Sequence, residues 1–93
     1  MNKAQLISGI ADNAGVSRRV AERLLNATIE TIADALEKGD SVQLVGFGTF
    51  EVRHRAERVG RDIHTKEPVK IEAQNMPVFK VGKPLRDRVQ NKS

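Results

Sequence analysis

Arg53, Arg55, Arg58 and Arg61 fall within nine residues of one another, Lys66 and Lys70 follow on the same stretch, and Lys80, Lys83, Arg86 and Arg88 come soon after. A guanidinium presents a planar fork of N–H donors that fits phosphate oxygens, and a lysine ammonium is a compact point charge. Taken singly, such side chains are an ordinary solvated surface. Four arginines at this density, on a segment with few large apolar residues to anchor it, point to a polyanionic ligand instead.

Bond-making chemistry finds no support. His54 and His64 lack any spacing that would make them a metal site or the base of a nucleophile, and the chain has no cysteine. The GFG at 46–48 has neither the length nor the lysine of a phosphate-binding loop and reads as a tight turn that lets Phe47 pack into the body. The chain is therefore expected not to be an enzyme and to need no cofactor.

The charge is segregated. Residues 1–52 carry five basic and seven acidic side chains, residues 53–93 eleven basic and five acidic ones, so a net charge of +4 hides a basic second half. Segregation of this kind fits nucleic acid or an anionic membrane surface. Membrane binding calls for a long basic amphipathic helix, which the second half lacks. No apolar run is long enough to span a bilayer, and Met1 leads into a polar, periodic segment, so a soluble cytosolic protein is expected.

The elements that must position these charges follow from the periodicity. Asn2 caps a first helix over KAQLISGIADNA, where Leu6, Ile7, Ile10, Ala11 and Ala14 recur at helical spacing, and Gly15 stops it. Ser17 caps a second helix to about Lys38, with Val20, Leu24, Thr28, Ile32 and Leu36 along one stripe, and Gly39 ends it. So wide an apolar face exceeds what the first helix can cover, and 93 residues are few for a self-sufficient core, so a second subunit is expected. After Asp40 the period becomes two, with Val42 and Leu44 before the turn and Phe50 and Val52 after it. Strand character continues to Gly60 and resumes in PVKIEAQNMPVFKV, where Val69, Ile71 and Ala73 share a face and Pro77 marks a bend or a sheet edge. Gly82 precedes a short helix with Pro84 in its first turn and Leu85 and Val89 facing inward.

The reading is thus α+β, one domain. Residues 1–39 form a helical dimerisation part, residues 40–82 a three-stranded antiparallel sheet with an arm at about 53–75, and residues 83–93 a C-terminal helix. As a hairpin the arm would reach roughly 30 Å at about 3.3 Å per residue. With no core of its own it should project from the body. Ile63, boxed in by charge in GRDIHTKEP, is then either a turn residue tucked against its own hairpin or an exposed wedge pushed between stacked base pairs.

QLVGFGTF at 43–50, RAERVGR at 55–61 and MPVFKVGKPLRDRV at 76–89 together resemble the bacterial HU and integration host factor family of DNA-bending proteins, and the resemblance runs over nearly the whole chain. It implies an intertwined dimer with a sheet saddle and two ribbon arms that wrap the minor groove of double-stranded DNA, in the nucleoid. On this resemblance Arg53, Arg55, Arg58 and Arg61 look like arm contacts, with Lys66 and Lys70 beside them. Lys80 and Lys83 look like saddle and flank contacts, Lys3 like a phosphate contact on the body, and Gly46 like a point where backbone approaches DNA; Arg86, basic and near the base of the arm, is a further candidate DNA contact. Phe47, Phe50 and Phe79, with Leu36 and Leu44, look like the dimer core. The arm tip departs from the family, whose members usually read arginine, asparagine, proline, any residue, threonine, glycine where this chain has Arg61, Asp62, Ile63, His64, Thr65 and Lys66.

The expected function is largely sequence-independent binding and bending of double-stranded DNA by a homodimer, or by a heterodimer with a paralogue. The alternatives are a site-preferring bender like integration host factor, an RNA-binding or purely self-assembling protein, and a helix-turn-helix reader. The last rests on the Ala11–Ser17 joint and on Arg18, Arg19 and Arg23, although the second helix is long and turns acidic at Glu30, Asp34 and Glu37.

Overall fold

A computed structural model describes residues 1–91. The elements run α1 (Lys3–Ala14), α2 (Arg18–Glu37), β1 (Val42–Leu44), β2 (Gly48–Arg55), β3 (Arg58–Arg61), β4 (Pro68–Ile71), β5 (Gln74–Val81) and α3 (Lys83–Gln90). This is the expected α+β order, and the chain divides into two compact units at Ala35/Leu36. Residues 92 and 93, included in the helix expected over 83–93, lie outside the described residues.

In the first unit the helix ends fall where the capping residues put them. The Asn2 side chain accepts from the Gln5 N–H at 2.9 Å while the Gln5 side chain accepts from the Asn2 N–H at 2.9 Å, a reciprocal capping box. Gly15 closes α1 in the left-handed region at φ 68°, and Ser17 Oγ accepts from the Val20 N–H at 3.1 Å to open α2. Ile7, Ala11 and Ala21 form the buried cluster, with Ile10, Val16 and Leu25 half-buried around it. Nothing else in the unit is buried, and Val20, Leu24 and Ile29 stand 43%, 56% and 49% exposed.

In the second unit β1, β2 and β5 form an antiparallel sheet with β2 in the middle. β5 is an edge strand, so Pro77, opposite Val52, can sit within it without breaking a second ladder. Alternation makes the sheet two-faced. Phe50, Val52, Phe79, Val81, Val42 and Leu44 share one face; Thr49, Glu51, Arg53, Arg55 and Lys80 share the other. Gly48 is required on the apolar side: a Cβ there would lie 2.6 Å from the Lys80 carbonyl oxygen and collide with the Phe79 ring.

The arm differs from the single long hairpin expected. Strand character does not run unbroken to Gly60: β2 ends at Arg55, β3 begins at Arg58, and β4 and β5 are interrupted likewise at Glu72 and Ala73. Ala73 therefore does not continue the Val69 and Ile71 face within a strand. β1 pairs with β2 only opposite Gly48–Phe50, so Arg53–Arg55 and Gln74–Met76 already form a two-stranded stretch, which the separately paired ribbon Arg58–Ile71 continues. Register carries through, since Arg55 opposes Gln74, Arg58 opposes Ile71, and each strand skips the same two residues. Pairing lapses at Ala56 and Glu57, neither of which is β-branched or aromatic. In α3, Leu85 is half-buried as expected, but Val89 is 67% exposed instead of facing inward.

Candidate nucleic-acid interface

The charged face of the three-stranded sheet is organised around one carboxylate. Glu51 Oε1 lies 3.4 Å from Arg53 Nε and 3.6 Å from Lys80 Nζ, and its side chain is only 27% exposed. Arg53 is its neighbour at i+2 on the same face; Lys80 reaches it diagonally from β5, where it opposes Thr49. Exposed pairs of this kind contribute little to stability, so both cations remain exchangeable towards an external anion. Arg55 continues the same face, unpaired with any carboxylate among the described residues.

Further out, Arg58 and Arg61 point to opposite sides of the ribbon. Arg58 stands with Gly60, Val69 and Ile71; Arg61 stands with Val59, Pro68 and Lys70. Lys70 Nζ lies 3.6 Å from Glu57 Oε1, with both side chains more than half exposed. A thin ribbon with guanidinium groups on both sides can address two walls of a groove at once, which a one-sided surface cannot.

The tip is a tight, internally braced turn. The Lys66 N–H donates to the Asp62 carbonyl at 2.8 Å and the Asp62 N–H to the Glu67 carbonyl at 2.9 Å. Asp62 Oδ1 accepts from the His64 N–H at 2.8 Å and the Thr65 N–H at 3.2 Å, the local capping that suits aspartate to turns. Arg61 Nη1 donates to the Lys66 carbonyl at 3.4 Å. Closing the turn puts Lys66 at φ 60°, the one non-glycine residue described in the left-handed region. Ile63 caps the turn with 90% of its surface exposed.

The other expected contacts are distributed. Gly46 sits in the β1–β2 turn at φ 87°, a conformation that favours glycine, and the Phe47 N–H closes that turn on the Leu44 carbonyl at 2.9 Å. Lys83 pairs with Asp87 one turn on in α3, Nζ to Oδ2 at 2.7 Å, and Arg86 is exposed on the same helix. Lys3 is exposed at the start of α1, in the first unit. Of the apolar set, Phe79 contacts both Phe50 (ring centroids 4.8 Å) and Phe47 (5.6 Å), while Leu36 is half-buried and Leu44 is 40% exposed.

Sequence reasoning missed Glu51 as the hub of the charged face and Asp62 as the organiser of the tip. The i, i+2 spacing of Glu51 and Arg53 could have shown the first pair. The DxxT pattern of Asp62 and Thr65 carries a turn signal that was read only as charge. His54, on the apolar face, hydrogen-bonds across the strands to Asn75, Nδ1 to Oδ1 at 2.9 Å. Among the described residues no group of acidic or histidine side chains is placed to hold a metal ion, and no helix is long and apolar enough to cross a membrane.

A family model described as bacterial DNA-binding protein matches residues 1–90. The DNA-binding protein HU of Clostridium pasteurianum is 53% identical over 89 residues, 96% of this chain and 98% of its own. The HU-alpha protein of Salmonella typhimurium is 52% identical over 90 residues, 97% of this chain and 100% of its own. Among solved structures, an Anabaena HU–DNA cocrystal structure superposes with a TM-score of 0.89 at 44% identity, covering 96% of this chain and 97% of that one. HU from Thermotoga maritima superposes at 0.67 with 35% identity, covering 96% and 98%. From the sheet and ribbon topology to these matches over nearly the full length, the chain belongs to the bacterial HU family of DNA-binding proteins.

Proposed function

We propose that two copies of this chain associate through their apolar helix and sheet faces, bind double-stranded DNA largely without reading its sequence, and bend it with ribbon arms laid in the minor groove. The observation that carries this reading is the arm: a two-sided basic ribbon, in register with a charged sheet face, ending in a braced turn that leaves Ile63 almost wholly exposed. Charge alone would serve any polyanion. An aliphatic side chain held out at the end of a charged ribbon suits a partner whose surface contains stacked bases that can be parted.

The apolar surface left open on one chain supports the dimer. Val20, Leu24, Ile29, Leu44, Phe47 and Phe79 are each at least 40% exposed, and among the described residues only Ile7, Ala11 and Ala21 are buried apolar side chains. Covering such a surface with a second copy is the ordinary solution for a chain of this size. In this arrangement residues 1–39 supply most of the dimer contact, Arg53, Arg55, Arg58, Arg61, Lys66 and Lys70 hold phosphates along the arms, and Lys80, Lys83, Arg86, Lys3 and the Gly46 backbone meet the flanking duplex. Phosphate contacts fix position without specifying sequence, and the minor groove separates little more than A·T from G·C. The family is structural and not catalytic, and a role in shaping nucleoid DNA in the cytoplasm follows from this reading.

The helix-turn-helix alternative has less behind it. Arg18, at the start of α2, turns back onto α1, with Nε 3.3 Å from Ser8 Oγ and Nη2 3.5 Å from the Ala4 carbonyl. A competition gel with intact duplex, nicked or gapped duplex and an RNA hairpin of equal length tests the proposal. Preference in the order gapped or nicked, intact, RNA is expected; equal binding to the RNA hairpin would refute bending as the function.

A further inference from the structure

The arm's ladder lapses at one level, where Ala56 and Glu57 on one strand meet Glu72 and Ala73 on the other. Arg55 opposes Gln74 below the lapse and Arg58 opposes Ile71 above it, so the register that carries through sets Glu57 directly across from Glu72. We propose that these two carboxylates form a charge-set joint: their repulsion holds the ladder open and lets the outer ribbon swing, and Lys70 is the counterion that restrains the swing. What the swing serves, laying the ribbon along a groove, rests on the arm reading proposed above.

The charges along the arm single out this pair. Every paired cation faces an uncharged residue: Arg53 meets Met76, Arg55 meets Gln74, Arg58 meets Ile71, Arg61 meets Pro68 and Lys70 meets Val59. Like charges oppose each other only at Glu57 and Glu72, and pairing fails only there. Lys70 Nζ lies 3.6 Å from Glu57 Oε1, which puts Glu57 on the face that Lys70 shares with Val59, and alternation from Lys70 puts Glu72 on that face as well. Glu72 has no ion-pair partner among the described residues, so one cation serves two carboxylates. Below the joint the hydrogen bond between His54 Nδ1 and Asn75 Oδ1, at 2.9 Å, ties the strands across and confines the opening.

Repulsion between exposed carboxylates is weak, and in the middle of a wide sheet it would not part a ladder. Here each strand has a single neighbour, because β1 covers β2 only as far as Phe50, and a two-stranded ribbon is marginal in water. Alanine and glutamate are poor strand formers besides, so local propensity does nothing to hold this level closed. Lys70 lowers the repulsion by pairing with Glu57. A phosphate that draws Lys70 away restores it, so contact with a polyanion loosens the joint as the ribbon meets the surface it has to follow.

The test is amide hydrogen exchange of the free protein, read by NMR over residues 53–61 and 68–76, for the parent, Glu72→Gln, Lys70→Gln and the double variant. It is run at about 10 mM and about 1 M salt, where the Debye length is about 30 Å and about 3 Å. At low salt Glu72→Gln should slow exchange on both sides of the lapse by about two- to fivefold, the range for one cross-strand charge pair. Lys70→Gln should speed it by a similar factor. The slowing by Glu72→Gln should be larger in the Lys70→Gln background, where nothing shields the repulsion. All of these differences should shrink at 1 M salt, whereas a change of strand propensity or packing persists there. No slowing in Glu72→Gln, or slowing undiminished at high salt, overturns the joint; equal slowing in both backgrounds overturns the part given to Lys70. Because no DNA is present, these outcomes are separate from the competition gel, in which equal binding to the RNA hairpin would strike the bending reading and leave the joint standing.

Discussion

Phe50 and Phe79 face each other across the β2–β5 ladder with ring centroids 4.8 Å apart, and Phe79 still leaves 40% of its surface uncovered. An aromatic pair in the middle of a sheet face is ordinarily core. Its exposure here, beside Leu44 and Phe47, fits the proposal that a second chain completes this face.

Folding and association are then one event. The melting temperature should rise with protein concentration, because mass action stabilises a folded dimer against unfolded monomers. Calorimetry across a hundredfold dilution checks this, and a midpoint independent of concentration would contradict it. Phe79→Ala, which opens the pair from both sides, should destabilise the dimer by about 3–5 kcal/mol, the range for a large core aromatic.

The salt dependence of DNA binding follows from the distribution of cations. If the arms and flanks of a dimer neutralise about 6–10 phosphates, affinity should drop roughly three to five decades between 50 and 200 mM salt. Arg58→Ala, lost from both arms, should make the slope shallower by about 1.8. Glu51→Gln should act in the opposite sense, since Arg53 and Lys80 no longer exchange a carboxylate partner for a phosphate and the local charge becomes more positive. Anisotropy titrations should show tighter binding for Glu51→Gln; unchanged or weaker binding would mean that the Glu51 cluster lies off the DNA path.

Lys66 holds a conformation that costs a non-glycine residue about 1–2 kcal/mol. Glycine removes that strain but adds freedom to the unfolded ribbon, worth roughly 0.5–1 kcal/mol. Lys66→Gly should therefore slow amide exchange in β3 and β4 several-fold, read by hydrogen exchange, while leaving the exchange of α1 and α2 unchanged. Faster exchange in the ribbon would show that the Asp62 turn does not need the left-handed residue.

The helices were legible because their ends carry their own chemistry: Asn2 with Gln5, Ser17 before Val20, and glycines at 15 and 39. The sheet was legible from alternation, with Val42 and Leu44 joining Phe50 and Val52 on one side. The break at Ala56 and Glu57 was not, since both residues tolerate an extended chain and only pairing across the ribbon shows where the ladder lapses. The Glu51–Lys80 pair needs the β2–β5 register, which joins residues far apart in sequence. At the tip, the two backbone hydrogen bonds that Asp62 accepts, from His64 and Thr65, give that residue a role that the charge of GRDIHTKEP alone does not show.

Bending of the duplex, with Ile63 as the wedge, is open to direct measurement. Inserting a side chain between base pairs costs a few kcal/mol of stacking, offset by the wrapping that the bend allows. Fluorescence transfer between dyes at the two ends of a short intact duplex reads that bend directly. A large rise in transfer is expected on adding the parent, and a much smaller one with Ile63→Ala at saturating protein. The variant's deficit should shrink on nicked or gapped duplex, where less stacking is lost. Equal transfer for parent and Ile63→Ala on intact duplex would contradict the wedge, and no rise with the parent would contradict bending itself.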